Sequence, residues 1–380
     1  MIHAATKCAR AAAATIRGRA IPVRYTTPLR LIHGVPNANH VAIQMVNYAL
    51  SHAGSLKISG NSSEAIERLK QVMSLTLSSF AILESGSVFF VVAVVAVEAL
   101  VGLLIQSGQD DASLNVADEF LELVKERGHE NLQDVAATAK TIKGLTELVK
   151  GSIESAESLF RGLENHENCK GNTALSYGEF LHATGNFEMA TEMYQKAIHG
   201  VTDTKESMSS CNMNLKAVSL AATFALGQLE SHIGNFGDAE ETLTSALTSA
   251  EEHYGHNHPK VGVILTGVAL MYRNKAKQER SSSIMIQEGL FRRALELMKA
   301  PPLDSEGIIN VETQEVMALA RGGYAELLLI QENRRSEGGK MKSWAESAWR
   351  NRRISLSEAL TLSEPLGKVG IIDARTTRVL

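Results

Sequence analysis

Three stretches of this chain repeat one spacing of small residues, and that spacing restricts the fold more than any other feature. GEFLHATGNFEMATEMYQKAI begins at Gly178 and GQLESHIGNFGDAEETLTSAL at Gly227. Each sets a glycine seven residues ahead of Gly-Asn-Phe, then an alanine (Ala190, Ala239) and a second alanine seven further on (Ala197, Ala246). Upstream, GLTELVKGSIESAESLF carries Gly144, Gly151, Ala156 and Phe160 in the same register, and Gly151 stands 34 residues before Gly185. A glycine inside a helix lets a neighbouring helix approach closely, whereas Gly151, Gly185 and Gly234 supply the backbone angles at which a helix ends. Ala156, Ala190 and Ala239 then fall where the second helix crosses the first, with Phe160, Tyr194 and Leu243 filling the gap a turn later. Such a pair leaves apolar faces that only another pair covers, so the pairs must stack.

These residues resemble the tetratricopeptide repeat (TPR), a pair of antiparallel helices of about 34 residues. The resemblance implies an all-α, TPR-like helical-hairpin solenoid coiled as a right-handed superhelix. A fourth copy, YGHNHPKVGVILTGVALMYR followed by EGLFRRALELM, resembles the repeat variety of kinesin light chains through His258, Pro259, Val261, Ala269, Tyr272 and Ala294. It departs from that pattern in Gln287, which replaces a small residue, and in KAKQERSSS, about six additional residues expected as a longer turn at little entropic cost. Kinesin association is not implied, because no heptad run precedes the repeats.

The clear repeats define a TPR core over 131–300. Upstream, VAIQMVNYALSHA, SEAIERLKQVMSL and ASLNVADEFLELVKER have helical periodicity and give divergent helical repeats over 41–130. Between Gly185 and Gly234 lie 49 residues, so TDTKESMSSCNMNL is expected as an extended connection. Pro301 and Pro302 break the chain before two further helical stretches, which make 301–380 a C-terminal helical repeat or cap.

Residues 1–40 differ in character. No Asp or Glu occurs before Glu64, serine is absent, and Lys7, Arg10 and Arg17 share one helical face. This composition resembles a mitochondrial presequence and places the protein in the mitochondrion, in the matrix, with cleavage expected near Arg24–Thr27. Removing Lys7, Arg10, Arg17, Arg19 and Arg24 takes the net charge from −4 to −9, which repels a phosphate backbone and disfavours nucleic-acid binding. Cysteines stand only at Cys8, Cys169 and Cys211, too few and too scattered for a disulfide framework or a Cys-rich metal site.

VFFVVAVVAVEALVGLLI, residues 88–105, admits two readings. It reaches the lower edge of the length that spans a bilayer, but Glu98 at central depth would cost about 2.5–3.5 kcal/mol. Its second half echoes the repeats, with Ala99-Leu100, Gly102 and Gly108 matching Ala225-Leu226, Gly227 and Gly234. A buried first helix of another repeat is the reading adopted, and an inner-membrane anchor is the alternative.

Signatures of catalysis are missing: there is no dinucleotide fingerprint, phosphate loop, nucleophile elbow or His-Glu-x-x-His. His253, His256 and His258 cluster on a loop without the ligand spacing of a metal site, and Cys169 and Cys211 read as unrelated thiols. WRNRR, Trp349 to Arg353, reads either as a solvated helix face over a Trp344/Trp349 cap core or as a contact for RNA, an acidic partner or anionic lipid. No cofactor and no metal are implied, and the chain is not expected to be an enzyme. By the resemblance, function resides on the concave surface of the first helices, which holds a protein client. The groove positions are Thr141, Leu145 and Leu148, then Leu175, Glu179 and His182. Phe224, Gln228 and His232 follow in the third repeat, and Thr266, Leu270, Arg273 and Asn274 in the fourth. Chaperone adaptors of the family grip a terminal carboxylate with Asn, Lys and Arg; here Leu145, Glu179, Gln228 and Leu270 hold the Asn sites, so no carboxylate clamp is expected. The expected role is a non-catalytic scaffold for a client during assembly or maintenance of an organellar complex.

Overall fold

The computed structural model describes residues 48, 52, 61–82, 87–127, 133–163, 169–199, 215–281, 283–304 and 311–361. The expected presequence, most of the connection after Gly185's helix pair, and Cys211 lie outside them. Among the described residues all regular structure is helical: α1 (Ser62–Ile82), α2 (Ser87–Gln106), α3 (Asp110–Arg127), α4 (Gln133–Lys150), α5 (Ile153–Phe160), α6 (Gly171–Ala183), α7 (Phe187–His199), α8 (Leu215–His232), α9 (Phe236–Tyr254), α10 (Pro259–Glu279), α11 (Ile284–Leu297), α12 (Val311–Leu329), α13 (Arg335–Ala348) and α14 (Leu356–Leu360). Each helix from α1 to α13 packs on the next except where a longer loop intervenes before α14. The even-numbered helices α2 to α12 also pack on one another in order, and α14 packs on α12. One layer of first helices backed by one layer of second helices is a TPR-like helical-hairpin solenoid.

The repeated glycines work as their spacing requires. A methyl group built on Gly144 would lie 2.7 Å from the Phe160 ring, one on Gly178 2.7 Å from Tyr194, and one on Gly227 2.7 Å from Leu243. The ring or leucyl group of the second helix therefore rests on bare backbone of the first. Gly151, Gly185 and Gly234 have φ of 88°, 84° and 86°. In each, two closing bonds cap the helix, as where Gly185 N–H donates to the His182 carbonyl at 3.1 Å and Asn186 N–H to the Leu181 carbonyl at 2.8 Å, a Schellman motif.

The same cap closes α2: Gly108 has φ 71°, and Gln109 N–H donates to the Leu104 carbonyl at 2.8 Å. Aligning on that cap places Val101, rather than Gly102, opposite Gly178 and Gly227. Its counterpart sixteen residues on is Ala117, and both are buried in one core. Large and small have exchanged places between the two helices, which is why the repeat is faint there.

From Ala93 onward α2 is enclosed by α1, α3 and α4, with Leu100, Leu103, Leu104 and Ile105 fully buried. Among the described residues no helix is long and apolar enough to cross a membrane. Glu98 turns toward the first turn of α6, where its carboxylate accepts from Asn172 Nδ2 at 3.2 Å. One expectation changes at the fourth pair: Lys275–Glu279 continue α10 instead of forming a turn, and Arg280, at φ 50°, ends the helix. The additional residues lengthen the helix because KAKQE is all good helix former.

Candidate functional site

The inner layer of first helices curves until its ends meet. A methyl group on Gly108, after α2, would lie 2.9 Å from Val311 Cγ1 at the start of α12. The two ends of the inner layer therefore touch at this point, and the groove residues expected from the sequence divide between core and polar clusters.

Leu145, Leu148, Leu175 and Phe224 are core: each is buried, and the Phe224 ring occupies the space a side chain at Gly267 would need, at 2.5 Å from its built Cβ. Thr141 and Thr266 turn their hydroxyls onto their own helices, to the Ala137 and Gly262 carbonyls at 2.9 and 3.0 Å. Leu270 is half-buried beside Gly323. The polar positions Glu179, His182, Gln228, Arg273 and Asn274 are also buried, and His232 is partly exposed.

Two polar clusters result. In the first, Tyr194 Oη lies 3.1 Å from His182 Nδ1, and His182 Nε2 lies 2.8 Å from His232 Nδ1. The row is satisfied with both rings neutral, the phenol donating to His182 and His182 donating to His232. Burial pushes His182 well below the usual histidine range, and the charge of His232 and of Arg353 pushes it the same way. Burial lowers His232 to about 4. Both are depressed, so the folded chain resists the protons that the unfolded chain takes up below about pH 6.5. Stability is therefore expected to be level above that pH and to fall by up to about 1.4 kcal/mol per pH unit for each histidine between pH 6.5 and 4. Urea midpoints at pH 7.5 and 5.5 check this; equal midpoints would contradict it.

The second cluster centres on Arg273, which grips Glu326 of α12 through Nε and Nη2, both at 2.8 Å, and donates to Asn274 Oδ1 at 3.1 Å. Arg273 also donates to the main-chain carbonyl of Leu360, at the end of α14.

What sequence reasoning missed is the segment between these clusters. After α13 the chain turns inward along residues 349–361. Trp349 Nε1 donates to the Ile354 carbonyl at 2.8 Å, and Asn351 Oδ1 accepts from the Arg353 and Ile354 amides at 2.9 and 3.2 Å. Ser355 and Glu358 form a capping box that starts α14. WRNRR is accordingly not a helix face, and Arg353 is only 9 % exposed. Its Nη1 donates to the Ala183 carbonyl at the end of α6, at 3.1 Å. The signal was present in Ser355-x-x-Glu358, a helix-start pattern, but nothing in it tells where the helix docks.

The histidines of HYGHNH are spread among separate tasks. His258 Nδ1 accepts from Lys260 N–H at 3.2 Å and caps α10 ahead of Pro259, while His256 lies 3.3 Å from the Glu251 carboxylate. Among the described residues no group of His, Cys, Asp and Glu is arranged to hold a metal ion.

No protein-family model matches the chain, and no curated protein matches it. Among solved structures it is similar to BtubC (BKLC) from P. vanneervenii, at 12% identity and a TM-score of 0.42, over 63% of this chain and 89% of that one. It is also similar to a tetratricopeptide repeat protein from Parabacteroides merdae ATCC 43184, at 13% identity and a TM-score of 0.33, over 80% of this chain and 99% of that one. The assignment of an all-helical array of stacked pairs stands on the packing order described above.

Proposed function

We propose that the chain is a non-catalytic scaffold that holds a protein client against the concave layer of its first helices, in mitochondria, during assembly or maintenance of an organellar complex. The observation that carries this reading is that the concave face already accommodates a peptide segment, residues 349–361, through a main-chain carbonyl of α6, the guanidinium of Arg273 and bare backbone at Gly322. Surfaces that accept both backbone and apolar side chains in this way bind peptides without needing a chemical group of their own to react. The reading of the fourth pair as kinesin-light-chain type draws support from His258-Pro259, which starts α10 as a cap followed by proline at the first turn.

A photo-crosslinking residue at Leu270, on the inner layer, and one at the exposed Glu252 of α9, on the outer layer, separate the two faces. Discrete crosslinked products from position 270 and none from 252 are expected in mitochondrial extract; products from 252 alone would contradict the concave site. For the location, incubation of the full chain with energised mitochondria is expected to give a shortened, protease-protected product, and a full-length product that stays protease-accessible would contradict it.

A further inference from the structure

Residues 349–361 meet the inner layer at three points that are far apart in the sequence. The Arg352 and Arg353 backbone lies over Gly151 at the end of α4, 3.5 to 3.6 Å from where a Cβ would stand. Arg353 then brings its charge to the C-terminal carbonyls of α6, the end of a helix that favours a cation. Finally Leu356 and Leu360, one turn apart on α14 and both buried, close over Gly322: a Cβ there would lie 3.4 Å from the Leu356 side chain and 2.7 Å from that of Leu360. The Leu360 carbonyl receives the Arg273 guanidinium.

These are the contacts of a ligand in a groove: one charge at a helix end, one i, i+4 apolar pair on a short helix, and a capped helix C-terminus. The local bonds of Trp349, Asn351, Ser355 and Glu358 hold the segment in its docked shape, so little ordering entropy remains to be lost on docking. Because the segment is joined to α13 at Ala348, it meets the groove at an effective concentration in the millimolar range. A free peptide must outcompete it.

We propose that residues 349–361 are a built-in competitor that keeps the groove closed, and that the client is a protein segment of the same chemistry: an arginine, a leucine three residues on, and a second leucine four residues after that, on a short helix. This inference rests on the reading of the concave layer as the client surface. The structure is then the closed state, and client binding exchanges one segment for another.

The test uses a fluorescent peptide with the sequence of residues 349–361 and the full-length chain in three forms. In the opened form, Arg353→Ala, Leu356→Ala and Leu360→Ala remove the docking side chains. In the locked form, Gly322→Cys and Leu360→Cys place thiols at two positions where the Leu360 side chain lies over the bare Gly322 backbone, to be joined as a disulfide. By fluorescence polarisation the opened form is expected to bind the peptide at least about tenfold more tightly than wild type, since the tethered rival is gone. The oxidised locked form is expected not to bind it, and reduction restores binding at least to the wild-type level. A peptide with aspartate at the two leucine positions should bind none of the forms.

Equal affinity of wild type and opened form, with unchanged circular dichroism, would overturn the proposal. Should the opened form fail to fold, the locked form decides alone: peptide binding as tight when oxidised as when reduced would overturn it. Failure of the underlying reading looks different, because crosslinks from position 252 and none from 270 would remove the client surface even where the peptide result holds.

Discussion

In urea titrations the Tyr194→Ala chain is expected to lose about 3–5 kcal/mol, the usual cost of deleting a fully buried aromatic ring. Tyr194 is completely buried, its ring lies against the bare backbone of Gly178, and its hydroxyl ends the row that runs through His182 to His232. Gly178→Val alone should cost about 1–3 kcal/mol by overpacking, since its Cβ would fall 2.7 Å from the ring. The pair Gly178→Val/Tyr194→Ala recreates the exchanged arrangement of Val101 and Ala117. It is therefore expected to cost less than the sum of the single changes by about 1 kcal/mol or more. Strict additivity would mean that the two residues do not share one packing site.

Arg273→Ala is expected to cost about 2–3 kcal/mol, because a buried guanidinium making charge-assisted bonds to a carboxylate and two neutral acceptors is lost at once. Lys277 also reaches Glu326, at 2.9 Å, so the carboxylate keeps a partner and the loss stays below that of stranding a buried charge. Arg273→Lys should recover only part of the stability, since an ammonium cannot hold Glu326 bidentately while also reaching Leu360. Thermal or urea unfolding of the two variants checks this, and full recovery by lysine would contradict the forked geometry.

How much of this was legible in the sequence depends on whether the signal was local. Gly144/Phe160, Gly178/Tyr194 and Gly227/Leu243 are each one hairpin, and the spacing of sixteen residues within a hairpin is written in the chain. The α2/α3 pair was faint because Val101 and Ala117 invert the small and large members, a change that keeps the packing volume but erases the glycine mark. Residues 88–105 looked ambiguous because a helix enclosed by neighbours and one enclosed by lipid are equally apolar. What separates them is Glu98, whose partner Asn172 lies 74 residues away.

The groove positions lie on the inner helices α4, α6, α8 and α10, yet what each side chain packs against was not legible. Whether Leu145 or Phe224 fills a core or faces a client depends on how the neighbouring helices pack, as where the Phe224 ring fills the space beside Gly267 and Leu145 joins the core around α2 and α3. Arg353 shows the limit most plainly. As a string, WRNRR has the look of a solvated cationic patch, because three arginines within four residues seldom leave water. In the fold one of them reaches 170 residues back to the carbonyl of Ala183, and no local pattern records a contact at that range.

Native-state digestion with trypsin tests most directly whether the concave face is occupied by the chain's own C-terminal segment. Arg350, Arg352 and Arg353 lie in non-helical backbone, where a detached tail would be cut at once, whereas a docked one is cut only as often as it opens. Mass spectrometry of the products over time is predicted to show cleavage after Arg353 that is as slow as cleavage within the folded helices. Rapid, complete cleavage at Arg350–Arg353, leaving a folded fragment that ends there, would contradict the account.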